Sequence, residues 1–197
     1  CTMLIDAHQR LIEIRRHAER TKPGQNLSRA GIDRARVAGA SGPPFARVVT
    51  SPSPRAVQTA VAMGYPVDVE ESVLQSFGSA VSELIDWSVG FAGWQQGVAK
   101  SQVLAAFATL QAAVWRQVVT GILPGQAALV VTHGGMIEAG VMAAAPAHDW
   151  LAAGEALDHV EGVRLWFADE RCVSASLLRF NGNVQEQRPV PMRAQPH

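Results

Sequence analysis

A chain of 197 residues, 48% of them hydrophobic, has material for one well-buried core and too little for two full domains. Its 17 basic side chains are matched by 17 acidic ones, so no overall field draws in nucleic acid or an anionic membrane surface. Positive charge must then be sought in a site. Two cysteines, Cys1 and Cys172, are too few for a disulfide scaffold or a thiolate metal centre, and they are expected to stay reduced.

No apolar run approaches the about 20 residues of a membrane helix. The opening stretch, Cys1-Thr2-Met3-Leu4-Ile5-Asp6, lacks a basic region followed by a long apolar one, so no signal peptide is expected there and the expected location is the cytoplasm. Residues 1–10 read as a lead-in. Leu11, Ile12 and Ile14 then mark a short buried strand over 11–16 that stops at Arg16 and His17. Thr21 to Asn26 is a loop by its Pro and Gly content, and Ser28 is placed to cap a helix over 29–40 with Ile32, Ala35 and Val37 as its buried stripe.

A second strand over 46–50 leads into Ser51-Pro52-Ser53-Pro54-Arg55, and a helix from Pro54 to Met63 opens with Pro in its first turn, where a missing N–H costs nothing. Residues 65–100 read as an irregular excursion, with a short strand at 66–69, a short helix near Glu83, Leu84 and Ile85, and an aromatic group of Trp87, Phe91 and Trp94. Residues 101–120 form an amphipathic helix on Val103, Leu104, Phe107, Leu110, Val114 and Val118. A third strand over 127–132 ends at His133-Gly134-Gly135, and a helix follows to Ala144. Two runs, 163–167 and 172–178, flank Asp169-Glu170 as a hairpin. One domain over residues 1–181 and a disordered tail over 182–197 are expected. Strand–helix alternation through residue 145 argues for an α/β fold, a mostly parallel sheet covered by helices on both faces, with the hairpin antiparallel at an edge.

Three strand ends thus offer His17 and His133 with Arg16 and Arg55. This is a set suited to phosphate. A transferring phosphoryl group spreads negative charge over its oxygens, and catalysis is then largely positioning and fixed positive charge. Arginine presents a planar two-donor fork and stays ionised. A neutral imidazole nitrogen can attack phosphorus and divide one displacement into two, and neighbouring cations keep it neutral. His133, with Gly134 and a helix start behind it, can donate to the phosphoryl oxygens together with backbone N–H groups. A leaving alkoxide also needs a proton, so a carboxylic acid is expected nearby.

Ile14-Arg15-Arg16-His17-Ala18-Glu19, Thr50-Ser51-Pro52-Ser53-Pro54-Arg55-Ala56 and Val131-Thr132-His133-Gly134-Gly135 occur in the order found in the histidine phosphatase (phosphoglycerate mutase-like) superfamily, small phosphatase branch. Leu27-Ser28-Arg29-Ala30-Gly31 resembles that family's helix lead-in, and the likeness covers roughly residues 11–140. The resemblance implies a three-layer α/β/α sandwich with no metal and no cofactor. By motif, His17 is the nucleophile that becomes phosphorylated, Arg16 and Arg55 clamp the phosphate, and His133 and Gly134 complete the pocket. Glu19 follows the nucleophile in many members and is read as structural.

Three departures stand out. Ala18 takes the place of a usual glycine. Gln75, reached by aligning on Val73-Leu74, takes the place of the family's proton-donating acid. Glu83 is the preferred substitute, with Glu70, Glu71 and Asp86 behind it. The long mutase segment with a Glu-Arg-x-Tyr-Gly pattern is absent. The reading is a phosphatase of a small phosphomonoester or of a phosphohistidine protein, working through a phosphohistidine enzyme. The alternatives are a mutase-like phosphotransferase and a non-catalytic phosphate-binding module. Neither nucleic acid nor a membrane is an expected partner, and the oligomeric state is left open. His8, His148, His159 and His197 have no companions at metal-ligand spacing and read as structural or solvent-facing.

Overall fold

Side-chain alternation sets the layers. The computed structural model describes residues 5–85, 90–187 and 190–191. Along β4 (Ala127–Thr132), Ala128 and Val130 pack into one core while Leu129 and Val131 pack into another, as successive strand residues must. Along β1 (Gln9–Arg16), Ile12 and Ile14 join the first core. The remaining elements are α1 (Arg29–Ala40), β2 (Phe45–Thr50), α2 (Pro54–Ala62), β3 (Val69–Glu70), α3 (Gly78–Ser82), α4 (Gly90–Lys100), α5 (Gln102–Thr120), α6 (Met136–Ala144), β5 (Gly162–Ala168), β6 (Arg171–Phe180), β7 (Val184–Glu186) and β8 (Val190–Pro191).

The strands form one mixed sheet in the order β3-β2-β4-β1-β5-β6-β7, with β8 also paired to β6. From β3 to β1 the pairings are parallel, and from β1 onward they are antiparallel. Helices α4, α5 and α6 cover one face through residues such as Leu104, Trp115 and Ile137. Helices α1 and α2 cover the other with small residues, Ala35, Ala38, Ala56 and Ala60. The close approach of those two helices needs Gly39, where a Cβ would sit 2.0 Å from the Met63 carbonyl oxygen. This is a three-layer α/β/α sandwich.

Outside 65–100 the expected elements are present with bounds shifted by a residue or two; inside it the strand expected at 66–69 is Val69–Glu70, the helix expected near Glu83 to Ile85 is Gly78–Ser82, and the stretch read as irregular holds the helix Gly90–Lys100. Ser28 caps α1, its hydroxyl accepting from the Gly31 N–H at 3.0 Å. The buried stripes differ in detail. Val37, Val103 and Leu110 are exposed, whereas Ala108, Gln111 and Ala112 are buried, so α5 turns small residues inward between Leu104, Phe107 and Trp115. Among the described residues α5 alone has the length and mean hydropathy (1.2) of a membrane-crossing helix. Here it is a core helix packed on β1, β4 and α6. Phe91 and Trp94 are buried on α4, and Trp87 lies outside the described residues.

The tail needs a correction. Disorder was expected from Gly182, but Val184–Glu186 pairs with β6 and Val190–Pro191 does so as well. A buried ion network ties β7 to β5 and β1. Glu13 and Arg15 point to the face of β1 opposite Ile12 and Ile14, and Glu13 accepts from Arg15 Nε at 2.6 Å and from Arg164 Nε at 2.7 Å. Arg164 also pairs with Glu186, whose carboxylate takes the Ser176 hydroxyl at 2.8 Å. A long-range charge partner of this kind leaves no mark in tail composition.

Candidate active site

Because β2, β4 and β1 are adjacent and parallel, their carboxyl ends lie side by side, and the three motifs meet along one edge of the sheet. Backbone hydrogen bonds fix the junctions. The His17 N–H donates to Thr132 O at 2.8 Å, and the Ser51 N–H donates to Val131 O at 2.9 Å. A cleft of about 870 Å³ opens at this edge, and Arg16, His17, Arg55, His133 and Gly134 all line it.

His17 is 8% exposed. Its Nδ1 lies 2.8 Å from the Ala18 carbonyl oxygen, which can only accept, so Nδ1 carries the proton and Nε2 keeps its lone pair. Arg55 Nε donates to that lone pair at 3.0 Å. Burial is the main influence lowering the His17 pKa to about 3, with His133, Arg55 and Arg16 adding like charge and the Ala18 carbonyl opposing. The ring is neutral at ordinary pH. Ala18 is buried and its N–H donates to Thr59 Oγ1 at 2.9 Å; its backbone is not among the positive-φ positions, so the methyl in place of glycine fits without strain.

Arg55 stands in the first turn of α2, after Ser53 as N-cap and Pro54. Beyond His17 it reaches His133 Nδ1 through Nη2 at 3.1 Å and Gln25 through Nη1. Since a guanidinium only donates, His133 Nδ1 accepts, its Nε2 bears the proton, and Nε2–H faces Ser51 Oγ at 3.0 Å with Ser53 Oγ at 3.4 Å. Burial first, then Arg55 and Arg16, lower the His133 pKa to about 4. The two imidazoles stand edge to face with centroids 5.1 Å apart.

Arg16 crosses Gly134 so closely that a Cβ there would meet its side chain at 3.1 Å. Its Nη1 donates to Leu157 O, while its buried Nε has no hydrogen-bond partner among the described residues. Leu157 is held in turn by Glu138. That fully buried carboxylate accepts from the Gly135 N–H at the start of α6 and from the Leu157 N–H at 2.9 Å. Gly135 has φ +81°, a conformation that favours glycine. Burial raises the Glu138 pKa, against its backbone hydrogen bonds and Arg16.

The acid expected at Glu83 is not there. Glu83 is the exposed C-cap of α3 and does not line the cleft. Glu70 is exposed on β3, the edge strand, and Glu71 accepts from the Val73 N–H at 3.0 Å; neither lines the cleft. Asp86 lies outside the described residues. Gln75 does line it, and Glu19 is the one carboxylate among the described lining residues. His159, expected from the sequence to be structural or solvent-facing, also lines it, with its ring centroid 5.6 Å from that of His17. No group of three or more His, Cys, Asp or Glu side chains that could hold a metal ion occurs among the described residues.

No protein-family model and no curated protein sequence matches the chain. Solved structures do. A phosphoglycerate mutase from Bacillus anthracis str. Sterne superposes with a TM-score of 0.58 at 16% identity, over 85% of this chain and 92% of that one. A phosphoserine phosphatase from Entamoeba histolytica, solved with 3-phosphoglyceric acid, gives 0.57 at 15% identity, over 94% of this chain and 98% of that one. The chain has a phosphoglycerate mutase-like fold. At such identities the likeness is one of fold, and chemistry must come from the side chains. In this phosphoglycerate mutase-like sandwich those side chains gather at the carboxyl edge of β1, β4 and β2.

Proposed function

We propose that the protein is a phosphatase that hydrolyses a small phosphomonoester or a phosphohistidine through a phosphohistidine formed at His17. One observation carries the reading: Arg55 is shared between His17 Nε2 and His133 Nδ1 at the edge where Arg16 also lies. A phosphoryl group entering there draws the Arg55 fork onto its oxygens, which releases the Nε2 lone pair for attack. The buried Arg16 Nε without a partner supplies a further donor. His133 turns Nδ1 toward the anion and donates once protonated, a change the anion itself favours by offsetting Arg55 and Arg16. Fold neighbours whose names describe a phosphatase and a mutase acting on phosphorylated small molecules support the same class of chemistry.

Gln75 in the cleft bears on the substrate. An amide cannot supply an acid proton, so a phosphohistidine, whose imidazole leaves more readily than an alkoxide, makes the smaller demand. The test is release of inorganic phosphate from a chromogenic phosphomonoester and from a phosphohistidine peptide, with His17→Ala beside the wild type. The wild type is expected to turn over and to hold acid-labile, base-stable label from a labelled substrate. Equal release by both proteins sinks the assignment of His17, and isomerised ester with little free phosphate would point to a mutase.

A further inference from the structure

We propose that His159, oriented by Asp158, is the proton carrier of this cleft: it donates to the leaving group in the first displacement and accepts from water in the second. This rests on the phosphatase reading above. Among the described lining residues the proton-transfer candidates are three imidazoles and Glu19. His17 is the nucleophile, with Nδ1–H committed to a carbonyl. His133 keeps its Nε2–H on Ser51, and its Nδ1 turns to the phosphoryl oxygens once Arg55 is drawn onto them, so it is committed to the anion and not to the leaving group. His159 has Nδ1 3.2 Å from Asp158 Oδ1, which leaves Nε2 as the ring's exchangeable position.

The loop that carries His159 is built as a support. Leu157 is held by Glu138 and Arg16, the Val160 N–H donates to Arg16 O at 3.1 Å, and Val160 O accepts from Arg15 Nη1 at 2.7 Å. Between these anchors Val160 is buried with φ +59°, a conformation that a β-branched residue adopts only when its surroundings impose it. Such stored strain gathers where a side chain must be aimed. The groups acting on His159 are Arg16, Glu19, Arg34 and its own neighbour Asp158, with His17 in ring contact. Burial first and Arg16 next lower its pKa, while Asp158 and Glu19 raise it; a phosphoryl dianion beside Arg16 adds to the raising side.

The step balances. The His17 Nε2–P bond forms as the P–O bond to the alcohol breaks, and the alkoxide takes the Nε2 proton of the His159 imidazolium. Water then attacks phosphorus, the N–P bond breaks, and the water proton returns to His159 Nε2 as inorganic phosphate forms. A bystander near His17 would instead leave the demand of the leaving group unmet.

The experiment compares phenyl phosphate, a poor leaving group, with 2,4-dinitrophenyl phosphate, which departs without a proton. His159→Gln is expected to lose about 100-fold or more in kcat on the first and less than about fivefold on the second, the range a general acid supplies. Asp158→Asn should follow the same pattern more weakly. Equal losses on both esters would overturn the proposal, because misfolding or lost packing does not distinguish leaving groups. So would a leaving-group-dependent loss in Glu19→Gln with none in His159→Gln. A wild type that hydrolyses only the dinitrophenyl ester removes the acid role and leaves the phosphatase reading intact, whereas no release from either ester or from a phosphohistidine peptide removes both.

Discussion

Arg55 Nε donates to His17 Nε2 across 3.0 Å, while the same guanidinium reaches His133 Nδ1 at 3.1 Å. One planar fork therefore sets the separation of two imidazoles carried by different strands. Arg55→Ala is expected to lower kcat/KM for phosphomonoester hydrolysis by about 10²–10³, the loss typical of removing a preorganised donor to a transition-state oxyanion. Arg55→Lys should recover little of it, since a single ammonium cannot span both rings. Steady-state kinetics on proteins with matched circular dichroism spectra measure this, and a loss below threefold for the alanine variant would count against the assignment.

The strand-end residues were legible because each motif is contiguous and follows a short apolar strand. Arg16, His17, Arg55, His133 and Gly134 needed only the parallel adjacency of β1, β4 and β2 to meet. His159 was not legible for a topological reason. Since β5 runs antiparallel to β1, the residues just before β5 fall beside the carboxyl end of β1. That follows only once β5 is known to be the neighbour of β1, and the strand order was out of reach of pattern. The hairpin signal at Asp169-Glu170, joined to a charged Leu157-Asp158-His159 segment, was the available hint. Glu83 failed differently. It ends a five-residue helix, too short for periodicity to say which way its side chain faces. Glu138 was legible as a cap or arginine partner in the first turn of the helix after His133, and Gly135 and Glu138 do have capping-box spacing.

The two cleft histidines, His17 and His133, also set a pH dependence of stability. Their folded-state values, about 3 for His17 and about 4 for His133, lie below the unfolded value of 6.5. As pH falls below about 6.5 the unfolded chain takes up protons that the folded chain refuses, so unfolding gains ground. Stability is thus full above that pH and is lost toward pH 4, by at most about 1.4 kcal/mol per pH unit for each histidine. Urea midpoints between pH 7 and 4 are expected to fall, and less steeply for His17→Asn than for the wild type. Identical slopes would mean that His17 is not held neutral.

Glu13 tests the buried network. It is fully buried between Arg15 and Arg164, themselves nearly inaccessible, and removing its carboxylate leaves two guanidiniums facing each other out of water. Glu13→Ala is expected to destabilise the protein by about 3–5 kcal/mol, the usual cost of stranding a buried charge. Chemical denaturation provides the number. Replacing Glu186 should cost less, because its side chain keeps 26% of its exposure and Arg164 retains Glu13.

Gly134 separates packing from chemistry. A Cβ at this position would come within 3.1–3.2 Å of the Arg16 Cδ, Nε and Cζ atoms, so Gly134→Ala obliges the guanidinium to move by a few tenths of an ångström. The backbone there is not in the left-handed region, so folding should be preserved. Arg16 remains tethered through Leu157 O, and Leu157 through Glu138, which means the displacement cannot be absorbed by the loop and falls on the end of the side chain facing the cleft. On the proposed phosphatase function, with Arg16 as a phosphate clamp, this displacement is expected to lower kcat/KM by about tenfold, short of the 10²-fold that a full ångström can cost. The loss should fall on kcat as well as KM if Arg16 contacts the phosphoryl oxygens in the transition state, since a group that bound only the ground state would move KM alone. Wild-type kinetics in Gly134→Ala at unchanged Tm would show that Arg16 is not part of the phosphate clamp.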